Sequence, residues 1–82
     1  MKLFLISQDQ TNDGGTFISA VVAAPDEETA RQMDPLDGEP MNWNLSLSWC
    51  DGPQHVTVRY LGEAIDIEQG VVCASYDPGS GY

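Results

Sequence analysis

Eighty-two residues allow one domain with one modest core, because a chain of this size buries only about 60–65 % of the surface it exposes when unfolded. Thirteen Asp and Glu against three Lys and Arg leave a formal charge of −10, which excludes binding to nucleic acid or an anionic membrane through a basic patch. Hydrophobic residues make up 41 % of the chain, including two Trp, three Tyr and two Phe, enough to argue for a folded core despite the charge.

In chain order, residues 2–8 form a short apolar run, followed by a polar segment whose Asn12-Asp13-Gly14-Gly15 is a strong turn signal. Residues 16–24 hold Phe17, Ile18, Val21 and Val22, the β-branched and aromatic content of a second strand. The two read as an antiparallel pair, apolar on both faces and therefore central in a sheet. Pro25 opens the clearest helical pattern: Asp26, Glu27 and Glu28 occupy the first turn, Glu27 and Arg31 form an i,i+4 pair, and Asp34-Pro35 stops the helix near Met33. That predicts about nine residues of helix, with Ala30 and Met33 facing the core.

Residues 34–41 carry two prolines, a glycine and three acids and read as a solvated loop. Trp43, Leu45, Leu47 and Trp49 then alternate with Asn44, Ser46 and Ser48, which predicts a half-buried strand; an irregular segment anchored by both tryptophans is the alternative. Asp51-Gly52-Pro53 marks a turn, and Val56, Val58 and Tyr60 alternate with polar residues in a further strand. Gly62 reads as a bulge or strand end, residues 64–69 as a helical turn or a polar connection, and residues 71–76 as the last strand. The fold expected is α+β: a four- to five-stranded, mainly antiparallel sheet with one short helix packed on one face, in the order ββα-β-ββ, forming a single domain over residues 1–76 with a loose tail at 77–82.

Chemistry is sparse. Cys50 and Cys73 are too few for a disulfide framework and lack C-x-x-C spacing; one disulfide is disfavoured in a chain read as cytoplasmic. The run after Met1 is too short and too soon polar for a signal peptide, and nothing approaches a membrane span. A Cys50–His55 nucleophile pair has neither a third orienting group nor an oxyanion-hole motif. Asp34, Asp37, Gly38 and Glu39 lack the spacing of a calcium loop, and the acids supply no dedicated pair for glycoside hydrolysis. No catalytic residue, metal or cofactor is therefore assigned, and the chain is read as a non-enzyme.

Charge is unevenly spread. Residues 25–54 hold seven acids and one Arg, a net of −6 out of −10. Helix-start preference and solubility account for part of this, most directly for Asp26, Glu27 and Glu28. The functional reading is a contact surface of Asp34, Asp37 and Glu39 with Asp26, Glu27, Glu28, Trp43 and Trp49, fitted to a partner's basic and partly apolar groove. Core packing is the competing role for both tryptophans.

Residues 1–8, residues 20–24 running into Glu27-Glu28-Thr29-Ala30-Arg31, Tyr60-Leu61-Gly62-Glu63-Ala64 and residues 70–76 resemble small, uncharacterised bacteriophage proteins. The resemblance covers most of the chain outside residues 35–55 and carries no catalytic residue. It implies a phage origin and a place in the host cytoplasm. Small acidic phage proteins of this size include inhibitors of host defence, among them anti-CRISPR proteins and DNA mimics. The expectation is an acidic protein that inhibits a host nucleic-acid-binding or defence protein such as a CRISPR effector, without touching nucleic acid or membrane itself. The alternative is a phage accessory or structural protein that self-associates as a homodimer.

Overall fold

The structure is a computed structural model that describes residues 1–9, 16–45 and 49–77. Strands β1 (Lys2–Gln8), β2 (Thr16–Ala24), β3 (Val56–Glu63) and β4 (Gly70–Asp77) form one sheet in the order β3-β1-β2-β4, antiparallel throughout. The expected α+β architecture is thus present, and β1 and β2 are the central strands, as their apolar character on both faces requires. The Asn12–Gly15 turn signal lies outside the described residues.

One short helix, α1 (Glu27–Arg31), packs against β1, β2 and β3. Phe4 and Ile6 from β1, Ala20 and Val22 from β2, and Val56 from β3 meet Ala30, Met33, Trp49 and Cys50 in a single core. That core lies on one face of the sheet. Arg31 ties the layers together by donating from its guanidinium to the Val56 carbonyl.

Helix α1 is five residues rather than nine, for two local reasons. At its start, Asp26 lies in extended backbone as the N-cap, and its carboxylate accepts from the Thr29 N–H at 2.7 Å, so Pro25 stands before the helix instead of in its first turn. At its end, Met33 pairs as a bridge with Pro40, which pulls the chain out of helical geometry before Pro35 is reached. Ala30 and Met33 are both buried, as the spacing predicts.

The cap sets a prediction. Hydrogen bonding to the Thr29 N–H holds the Asp26 carboxyl below its ordinary value of 3.8. A depressed carboxylate contributes stability that is complete above that value and fades as pH falls through the lower folded-state pKa. Asp26→Ala should lower the thermal midpoint by a few degrees at neutral pH, while Asp26→Asn, an equally good cap, should not. In acid the wild type should lose part of its advantage over the alanine variant; thermal melts followed by circular dichroism at several pH values check this.

The expected middle strand is corrected in its described part: Trp43–Leu45 is a turn of 3-10 helix. The Asn42 side chain accepts from the Asn44 N–H at 3.2 Å, a local bond that competes with strand pairing. The remainder of that expectation, residues 46–48, lies outside the described residues. A second 3-10 turn, Pro53–His55, leads into β3, and Asp9 closes on it through its N–H to the His55 carbonyl and its carboxylate to His55 Nδ1 at 2.9 Å. Residues 64–69 form an irregular connection, not a helical turn, that crosses the sheet end and is held by the Ala64 N–H on the Met1 carbonyl. The last strand runs one residue past its expected end, to Asp77; the rest of the expected tail, residues 78–82, lies outside the described residues.

Candidate functional site

The region after α1 is a loop with Leu36, Asp37, Glu39 and Pro40 exposed to solvent, as expected, and it is tightly hydrogen-bonded within itself. Asp34 donates its N–H to the Glu39 carbonyl and accepts at its own carbonyl from Gly38, both at 2.8 Å. Its carboxylate accepts from the Leu36 N–H at 2.9 Å, and the Asp37 carboxylate accepts from the Glu39 N–H at 2.9 Å. These side-chain turns give Asp34 and Asp37 a structural reason for being acidic or amidic. Pro35 is buried beneath the loop while Leu36, 66 % exposed, stands at its surface.

Gly38 fixes where the loop sits. Its φ of +78° suits glycine, and a Cβ there would lie 3.1 Å from the Gly70 Cα and 3.2 Å from the Val71 nitrogen. Backbone therefore rests on backbone, and the acidic loop is docked on the start of β4.

The helix acids have internal partners as well. Glu27 pairs with Arg31 at 3.3 Å, and Glu28 lies 3.9 Å from the same guanidinium while accepting from Gln32 Nε2 at 3.1 Å. Gln32 in turn accepts from Trp43 Nε1 at 2.7 Å, so Trp43, Gln32 and Glu28 form a continuous hydrogen-bonded line along one side of the site. Glu27 and Glu28 nonetheless keep most of their side chains in solvent. Among the described residues the Glu39 carboxylate has no partner of its own.

Between α1, the loop and the β3–β4 connection lies a groove of about 270 Å³, bounded by Glu28, Gln32, Met33, Gly38, Pro40 and Gln69. Met33 and Pro40 give it an apolar floor and the amides and Glu28 a polar rim. Gln69 and its exposed neighbour Glu68 come from a distant part of the chain. Neither they nor Leu36 were assigned to the site from sequence; the exposed leucine inside an acidic loop was the one signal available. The loop and α1 thus bring Asp37, Glu39, Glu27 and Glu28 to one side of the molecule, with Asp34 half-buried at the loop base and Asp26 spent on its cap.

The two tryptophans separate. Trp43 is half-buried at the site, whereas Trp49 is 3 % exposed in the core, so its assignment to a contact surface is corrected to a packing role. It belongs to the same buried cluster as Phe4, Ile6, Val22, Ala30 and Met33.

Cys50 and Cys73 are both thiols, not disulfide-bonded. Cys50 is fully buried, its thiol donates to the Gly52 carbonyl at 3.4 Å, and burial pushes its pKa up, the opposite of an activated nucleophile. Cys73 is exposed on β4. Among the described residues no three His, Cys, Asp or Glu side chains converge as metal ligands, and no helix is long and apolar enough to cross a membrane. Comparison with family models, curated proteins and solved structures finds no match.

Proposed function

We propose that this chain is a small acidic binding protein of phage type that inhibits a host nucleic-acid-binding or defence protein, such as a CRISPR effector, by occupying its basic groove in the manner of nucleic acid. The observation that carries this reading is the pairing of exposed carboxylates on α1 and the loop with an apolar-floored groove between the two elements, together with the exposed Leu36 of the loop. A basic groove built for nucleic acid offers both kinds of contact, since lysine and arginine stems present apolar surface below their charged heads. The loop is held by its own backbone bonds and by Gly38, so its acids are presented without a large ordering cost on binding.

Incubation of the immobilised protein with host lysate at low salt should retain a basic, nucleic-acid-binding protein. The purified complex should weaken by about tenfold or more when salt rises from about 50 to about 500 mM, because the contacts are between exposed charges. Glu39→Lys combined with Asp37→Asn should weaken it by about tenfold as well. Asparagine keeps the side-chain acceptor for the Glu39 N–H, so the thermal midpoint should stay where it is. Absence of any basic partner at low salt, or an affinity indifferent to salt, would overturn the proposal.

A further inference from the structure

The face of the sheet turned away from α1 is ordered into rows by the strand register. Thr57, Ser7, Ser19 and Ser75 form one row across all four strands. Arg59, Leu5, Val21 and Cys73 form the next. Leu5 and Val21, in the two central strands, are half-buried, while the residues of the rows on β3 and β4 are exposed. A shallow depression of about 170 Å³ opens between Leu5, Val21, Cys73 and Ser75. An antiparallel sheet with one solvated face ordinarily makes that face polar; this one keeps an apolar centre.

We infer that this face is a homodimer interface, on which a second copy of the chain packs sheet to sheet about a two-fold axis. Its hydroxyl row is self-complementary, and the one charge of the two rows, Arg59, sits on the edge strand β3. A hydroxyl both donates and accepts, so a row of four hydroxyls can pair with its own copy, which a row of carboxylates or ammonium groups cannot. Neither row contains an acid, in a chain whose net charge is −10. A basic partner drawn to the acidic side would meet Arg59 here, and Arg59 has no ion-pair partner among the described residues; an acidic partner would be repelled by the whole molecule.

The two remaining quantities permit the association. Four strands about 4.8 Å apart and about seven residues long span roughly 450–500 Å² in plan. With side-chain relief each copy contributes roughly 600 Å², so the pair buries about 1,200 Å², at the lower bound for a specific interface. Repulsion is tolerable because the acid-bearing α1 layers point outward, about 30 Å apart when the sheets stand about 10 Å from each other, against a screening length of about 8 Å at physiological salt. Long-range repulsion between two chains of −10 persists at low salt, so this dimer must tighten as salt rises. That sign is opposite to the one expected of the acidic surface, and the two associations use different residues.

Sedimentation equilibrium at about 10 to 200 µM tests it, with a dimer of micromolar dissociation constant expected and a severalfold tightening between about 50 and about 500 mM salt. Cys73→Glu with Ser75→Glu adds acids to exposed positions of an edge strand and should weaken the dimer about tenfold or more, with unchanged circular dichroism. Thr57→Glu, on the opposite edge, should do the same and decides the matter if the first variant fails to fold. A monomer at about 200 µM in both salts, a dimer that high salt dissociates, or a dimer indifferent to folded face variants would each overturn the inference.

Discussion

Trp49→Ala should remove about 3–5 kcal/mol of folding stability, the range for truncating a large aromatic in a close-packed core. For a domain of 82 residues the whole stability is about 4–12 kcal/mol, so the variant should lose at least about a quarter of it. Trp49 is 3 % exposed and belongs to a core cluster that draws on β1, β2, β3 and α1, so its removal opens a cavity in the one core of the described residues. Trp49→Phe should behave differently. The indole Nε1 is buried with no hydrogen-bond partner among the described residues, and a donor in that state costs about 1–3 kcal/mol. Phenylalanine discards that donor along with one ring, so the two effects offset and the loss should stay below about 1.5 kcal/mol. Urea titration read by far-ultraviolet circular dichroism separates the two; an alanine variant within about 1 kcal/mol of wild type would show that the tryptophan is not packed as described.

Gly38→Ala should destabilise the protein by about 1–3 kcal/mol and, more selectively, displace the acidic loop. Two independent effects coincide at this position. A left-handed backbone is strained for any residue with a Cβ, and that Cβ would press on the Gly70 backbone, which cannot move aside as a side-chain tip could. The strain is relieved if residues 34–40 lift away from β4. Hydrogen exchange should then accelerate at the Gly38 and Glu39 amides more than at the β1 amides, and the affinity for a basic partner should fall even though no carboxylate has been changed. Uniform acceleration across the sheet would show that the loop is not an independently docked unit.

Legibility in the sequence followed how local each cause is. Strands β1, β2, β3 and β4 were readable because apolar runs and alternation report burial directly. At Trp43–Leu45 the alternation misled because a period of two in three residues does not distinguish a strand from a single turn of 3-10 helix. At Trp43 the deciding interactions were the Asn42 turn and the indole bond to Gln32, the second of which joins residues that no periodicity relates. The helix was overextended because the Met33–Pro40 bridge that cuts it short is a contact between two segments rather than a property of either. The acids of the candidate site were legible as a charge excess, but not their division of labour. Asp26 caps, Asp34 and Asp37 close the loop, and Glu39 alone of the loop acids is left uncommitted. The groove itself depends on Gln69 arriving across the sheet end, which only the topology provides.

The strand order also dictates how the chain must fold. Only β1 and β2 can meet as near neighbours; β3 reaches β1 through pairings as remote as Lys2 with Glu63, and β4 returns to β2 on the far side. Closing such long loops before their contacts stabilise them places folding in the slow, millisecond-to-second regime typical of non-local sheets. During that interval the β1–β2 pair has both edges unpaired, and Lys2 is the one formally charged residue within its two strands, Asp9 and Asp13 falling between them in the sequence. Most of the acids of the finished protein therefore lie outside the segment most prone to aggregate while the sheet is incomplete, and none lies within its two strands.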